Sequence, residues 1–243
     1  MDTFLKGTKI SLTNREEVIG NIKKYNFNTS NYICIFGLYP LVQSHKNEEL
    51  EKAYNNSIFN PLHGKSIEFY LRLKGHKNIQ TVDGVYLLTK LLNENLSHYF
   101  YGTNNQTLGI MRNRIKKHFP SSNILGYKAP PLQIDNNKIK DNAIIKSDII
   151  EINQQKPNIV WIGLGGIKQD LLMYHYSQYL NNSLMIGVGA AFNYFAGNLN
   201  LSSELTKILG LRWFHRLVRQ PQLFSRYVVI AKYFLSYPFK KHH

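Results

Sequence analysis

The chain has 243 residues, 43% of them hydrophobic, which is enough to bury a sizeable core in one domain. Lys and Arg outnumber Asp and Glu by 30 to 15, and the net charge of +15 favours an anionic partner: nucleic acid, an acidic membrane or a phosphorylated ligand. One cysteine, Cys34, excludes an intrachain disulfide; no apolar run approaches the roughly 18 to 20 residues of a spanning helix; and the opening MDTFLKGTKISL lacks a signal-peptide apolar region, so the chain reads as cytoplasmic.

In chain order, residues 7–12 read as a strand entering a helix capped by Thr13, with Glu16 three residues on as a capping box. Residues 32–36 (YICIF) form a buried-strand pattern, 40–54 a polar-faced helix, and 57–62 a further short strand. His63 and Gly64 precede a helical run, IEFYLRLKG, and Asp83 opens a helix to Leu92. Residues 98–101 (HYFY) read as a strand. Leu108, Met111, Ile115 and Phe119 recur at spacings of three and four, one apolar face of a helix. A strand over 123–127 is followed by the extended break Ala129-Pro130-Pro131 and an Asn-rich polar loop over 135–142. Ser147 can cap a helix carrying Ile149, Ile150 and Ile152, which Pro157 stops. Strands alternating with helices of this length argue for a mostly parallel sheet with right-handed crossovers.

The stretch NIVWIGLGGIKQD, residues 158–170, places Gly163, Gly165 and Gly166 between a buried strand and a helix that carries Lys168 and Gln169 at its start. A second unit follows: SLMIGVG ends in Gly187 and Gly189 ahead of a helix carrying Asn193. Consecutive strand–glycine–helix units put both turns on the carboxyl edge of a parallel sheet, where ligands bind, and a helix start there favours a phosphate. Either turn alone could equally be glycine closing a tight βα connection.

After Glu204 the composition changes. Residues 205–243 carry eight basic side chains and no acidic one, interleaved with aromatic and apolar residues. That pattern suits an interfacial membrane segment on an anionic surface, or a packed helix with a solvated basic face. Arg216, Arg219 and Arg226 share a face if one helix spans them. Nucleic acid as partner has no recognised motif in support.

Three stretches resemble one family. GLGGIKQD resembles the GLG-x-PKQE signature of the WecG/TagA/CpsF glycosyltransferases; IGVGAAFNYFAG looks like its IGVGAAFD-x-x-AG, and LGLRWFHRLVRQPQLFSRY like its LGLEWL-x-RL-x-x-EP-x-R-x-x-RY. The resemblance implies a Rossmann-like α/β domain over 1–204, with a mostly parallel sheet covered by helices on both faces, and a helical C-terminal appendage over 205–243. It implies transfer of an N-acetylmannosamine-like or related sugar from a UDP-sugar donor to a polyprenyl-diphosphate-linked acceptor, without an obligatory metal or cofactor. The setting it implies is cell-surface polysaccharide synthesis, peripheral on the inner face of the membrane, with the tail meeting an anionic bilayer. Homo-oligomerisation is left open.

The resemblance also assigns roles. The family's Asp base falls at His63, which can serve as a base when neutral or be a turn histidine. Asp83 can replace that base or cap its helix. Donor binding would fall to Gly163, Gly165, Gly166, Lys168, Gln169, Gly187, Gly189 and Asn193, with Arg216, Arg219 and Arg226 clamping the diphosphate. Several family carboxylates and the T-x-N and Arg positions are replaced here, at Ile35-Phe36-Gly37, Thr81, Tyr86, Asn193, Arg212 and Gln220. A second reading is therefore a catalytically impaired member that binds sugar nucleotides or serves assembly.

Overall fold

The structure is a computed structural model that describes residues 2–131, 139–198 and 224–236. Five strands form one parallel sheet: β3 (Asn31–Cys34), β4 (Ser97–Gly102), β5 (Asn123–Lys128), β6 (Ile159–Gly163) and β7 (Leu184–Gly187), in the order β3-β7-β6-β4-β5. A separate antiparallel hairpin, β1 (Asp2–Leu5) with β2 (Thr8–Ser11), lies outside it. The expected parallel α/β architecture is present.

The strand residues alternate between two buried faces. Tyr32, Cys34, Tyr99, Tyr101, Val160, Ile162 and Met185 belong to one core cluster. It is covered by α2 (Leu38–Ser44), α3 (Glu48–Asn56), α4 (Lys65–Leu73), α7 (Ala143–Gln155) and α8 (Gly166–Tyr176). Ile33, Phe100, Trp161, Leu184 and Ile186 point the other way, under α1 (Arg15–Lys23), α5 (Gly84–Leu91), α6 (Asn105–His118) and α9 (Ala191–Ala196). Period-two side chains with both faces apolar are what make these runs read as continuous hydrophobic stretches. A last helix, α10 (Phe224–Ser236), packs on α2: Tyr233 stacks on His45 at 5.4 Å, and the Arg226 guanidinium lies 5.1 Å over the Tyr39 ring.

Four local expectations are corrected. The α1 cap is Asn14, whose side chain accepts from the Glu17 N–H in a full capping box, one residue beyond the Thr13–Glu16 pair. The single helix over 40–54 is two, because Asn47 caps α3 by accepting from the Leu50 N–H. Residues 57–62 make isolated bridges, Ile33 to Phe59 and Phe36 to Leu62, and no strand. Ser147 lies inside α7, whose cap is Asn142, accepting from the N–H groups of Ile144 and Ile145. In each case an Asn side chain or a neighbouring backbone satisfied groups that the sequence pattern alone assigns elsewhere. The 204/205 boundary lies outside the described residues.

Candidate functional site on the carboxyl edge of the sheet

The chain runs outward from β4 to β5, then returns past β4 to β6 and onward to β7. The order therefore reverses beside β4, and the crevice outside the carboxyl ends of β4 and β6 is the switch point where open α/β sheets take ligands. Gly102 and Gly163 sit opposite each other there. The Thr103 N–H donates to the Gly163 carbonyl at 3.1 Å, and Asn104 then caps α6 through the Thr107 N–H.

The next two turns are those singled out in the sequence, and they touch. A Cβ placed on Gly189 would lie 3.5 Å from the Gly165 Cα, and both residues have positive φ, +55° and +75°. Gln169 ties the turns together: its Oε1 accepts from the Gly189 N–H at 2.8 Å and from the Gly165 N–H at 3.4 Å. The side chain is 3% exposed, so this carboxamide is a buried staple of the edge more than a group reaching into solvent. Gly163 and Gly187 are packing positions: a Cβ would strike the Phe192 ring at 2.2 Å and the Gln169 amide nitrogen at 2.4 Å respectively. Gly166 is exposed, while Lys168 and Asn193 are half-buried in the first turns of α8 and α9.

Further along, the segments before α4 and α5 run side by side. The Val82 N–H donates to the Leu62 carbonyl at 2.9 Å, and the His63 Nδ1 lies 3.1 Å from the Val82 carbonyl. A carbonyl can only accept, so Nδ1 carries the proton in the neutral ring and Nε2 carries the lone pair. Asp83 caps α5, accepting from the Tyr86 N–H at 2.8 Å. Gly84 presses on the β7 turn, since a Cβ there would lie 2.8 Å from the Val188 and Ala191 Cβ atoms. His63, Asp83 and the two glycine turns thus form one continuous edge.

Three helices begin at glycines with no side-chain cap: α2 at Gly37, α4 at Gly64 and α8 at Gly165. By contrast, α1, α3, α5, α6 and α7 are capped by Asn or Asp. Gly37 is pressed to within 2.9 Å (ideal Cβ) of the His63 carbonyl oxygen, so the α2 and α4 starts are neighbours. Uncapped helix starts present backbone N–H groups and the positive end of the helix dipole, which suits an anion such as a diphosphate.

Beneath the edge lies a buried acid. The Asp170 Oδ2 accepts from the Tyr54 hydroxyl at 2.8 Å, and Oδ1 has no well-formed hydrogen bond among the described residues. Burial raises this carboxyl to about 7, with the Tyr54 hydrogen bond pulling the other way. Full burial also pushes the neighbouring Cys34 thiol up.

Sequence reasoning missed the Gly102–Asn104 turn and the Gly37 helix start, and it read Gly64 as preceding a helix without assigning it to the site. The available signal was a glycine closing each strand-like apolar run. Arg216 and Arg219 lie outside the described residues, whereas Arg226 lies on Tyr39 near the α2 start. Two concavities at the far end of α8, lined by residues such as Lys140, Lys146, His175 and Glu49, contain none of the edge residues.

The fold defines an α/β protein with a parallel sheet whose carboxyl edge is built from glycine turns and uncapped helix starts, features that suit an anionic ligand. The sequence profile of the glycosyl transferase WecG/TagA/CpsF family matches residues 3–242, and the chain belongs to that family. It is similar to an N-acetylglucosaminyldiphosphoundecaprenol N-acetyl-beta-D-mannosaminyltransferase of Bacillus subtilis (strain 168), 25% identical over 138 residues that cover 57% of this chain and 50% of that protein. A protein of the same name from Bacillus spizizenii is 23% identical over 192 residues, covering 77% of this chain and 71% of its own length. The chain thus spans about half the length of the first of these relatives. Among the described residues, no helix is long and apolar enough to cross a membrane.

Proposed function

We propose that the chain is a hexosyltransferase-type glycosyltransferase that moves an N-acetylmannosamine-like or related sugar from a UDP-sugar to a polyprenyl-diphosphate-linked acceptor. It would work at the inner face of the cell membrane in surface polysaccharide synthesis. Family membership and the names of the two relatives support the reaction class and the lipid-linked acceptor. The observation that carries the reading is the meeting of the Gly165 and Gly189 turns with the uncapped starts of α4 and α8 on the edge beside His63. There the donor diphosphate would lie along the glycine turns, with Lys168 and Arg226 adding positive charge.

In the transfer, the acceptor oxygen forms the new bond to the anomeric carbon as the bond from that carbon to the donor phosphate breaks. UDP departs with the electron pair. His63 Nε2 would take the proton of the acceptor hydroxyl. Asp83 is the alternative base, although its carboxylate already serves the Tyr86 N–H. Gln169 would act by holding the Gly165 and Gly189 turns in the geometry the diphosphate needs.

His63→Ala should lower turnover by about 100-fold or more while leaving UDP-sugar binding unchanged, the range general-base removal typically spans. The check is calorimetric titration with a panel of UDP-sugars alongside a transfer assay on a lipid-linked acceptor. Wild-type protein that is folded yet binds no UDP-sugar at millimolar concentration would remove the proposal's support. The second reading, a binding or assembly protein, is favoured by one observation: the carboxylate of Asp83, the alternative base, is engaged as a helix cap. Donor binding without turnover on any lipid acceptor would select it.

A further inference from the structure

Helix α4 starts at the ligand edge and carries an unusual outer face. Its inner side is fixed: Ile67 and Leu71 are buried, and the Glu68 carboxylate, 4% exposed as a residue, accepts from the Thr81 N–H at 3.0 Å and the Thr81 hydroxyl at 2.9 Å. Lys65 at 2.9 Å and Arg72 at 3.1 Å complete the Glu68 shell. The one acidic side chain of the helix is therefore turned inward and neutralised. On the outer side, Phe69 and Leu73 are 66% and 62% exposed, one turn apart. Residues 65–77 carry Lys65, Arg72, Lys74 and Lys77 against Glu68 alone. Two large apolar side chains on one turn, flanked by cations and with no outward carboxylate, match the chemistry of an anionic lipid headgroup layer over acyl chains.

We propose that the Phe69–Leu73 face of α4 docks on an anionic phospholipid bilayer, so that the glycine edge where α4 begins is held against the membrane surface. The face lies on α4, within the described residues of the protein. Apolar insertion by Phe69 and Leu73 supplies the part of the binding that salt does not screen; the positive charge left over after Glu68 is neutralised supplies the part that it does. The inference rests on the transferase reading only for its purpose, because vesicle binding is read without any turnover.

The test uses the full chain with vesicles of phosphatidylglycerol and phosphatidylcholine, or of phosphatidylcholine alone. Phe69→Ser with Leu73→Ser should reduce partitioning onto the anionic vesicles at least tenfold, while calorimetric UDP-sugar binding stays at the wild-type value. Because the natural Cys34 is fully buried, a cysteine placed by Phe69→Cys can be labelled selectively with an environment-sensitive dye. Its emission should shift to the blue on anionic vesicles. The same label at Lys117→Cys, on α6 across the sheet, should not shift. Vesicle binding that is unchanged in the double variant, or a Phe69 label that stays in water while the protein binds, would overturn the proposal. So would a wild-type dimer that the double variant dissociates without loss of vesicle binding, since the face would then belong to a second copy. Absence of UDP-sugar binding would sink the transferase reading and leave this result standing.

Discussion

Gly102→Val should destabilise the protein by roughly 4 kcal/mol, combining backbone strain with overpacking, and should abolish ligand binding at the sheet edge. Gly102 has φ +142°, and a Cβ there would lie 2.6 to 2.8 Å from the carbonyl carbon, oxygen and Cα of Gly163. All three are backbone atoms, so no side chain can swing aside to make room. Gly163 cannot retreat either, because the Phe192 ring fills the space where its own Cβ would be. The ends of β4 and β6 would have to separate at the switch point, taking with them the Thr103 to Gly163 hydrogen bond. Urea unfolding measures the stability change, through a lower midpoint at unchanged slope. Gly109→Ala on α6, where nothing lies within 4 Å, is the contrast, and it should stabilise by about 0.5 to 1 kcal/mol. A Gly102→Val midpoint equal to wild type would mean that the two strand ends separate at no cost, contrary to the contacts described.

The second large effect is a pH dependence centred on Asp170. Its carboxyl titrates near 7 in the folded protein against 3.8 as the ordinary value, because the neutral form is favoured by burial. The folded state therefore holds the proton more tightly than the unfolded state between those values. The stability this contributes is full below about 3.8 and is lost as pH rises towards 7. At pH 8 the folded chain must carry a buried carboxylate, a loss of up to about 4 kcal/mol at 1.36 kcal/mol per pKa unit. Asp170→Asn, which keeps the Tyr54 partner, should remove that dependence. It should be more stable than wild type at pH 8, with the gap closing by pH 4.5. Denaturation curves for both proteins across this window give the difference directly, free of groups that titrate identically in each. A constant gap between them would show that Asp170 ionises freely in the fold.

Most of the architecture was legible because the decisive signals are local. The β6 and β7 units announce themselves through buried apolar runs that end in glycine, and the two faces of the sheet follow from alternation within those runs. Asp83 as the α5 cap was readable for the same reason: its acceptor target is three residues away. What the sequence could not show is partnership across distance. Gln169 reads as a ligand contact at a helix start, and its Oε1 accepts from the amides of two turns, one of them 20 residues on. Asp170 reads as a mild variant of a motif, and only the packing of Tyr54, 116 residues away, reveals a buried acid with one satisfied oxygen. The break between α2 and α3 was missed because Asn47 looks like any polar position until its capping bond is seen. The family resemblance added what periodicity cannot, a reason to group His63 with the glycine turns, and the fold does place them on one edge.

The strand order also bears on when this edge can exist during synthesis. Strand β3 pairs only with β7 within the sheet, and the contacts that tie the start of β3 to its neighbours join residues 150 and 153 positions apart. At roughly 5 to 20 residues per second, a growing chain holds β3 without its strand partner for about 8 to 30 s. The ligand edge, which needs the Gly189 turn beyond β7, is completed later still. In refolding, where the whole chain is present at once, pulsed hydrogen exchange should find β3 amides gaining protection together with those of β7, after the local β4–β5 pair. The long return of the chain to its first strand makes the newest residues the ones that close the oldest.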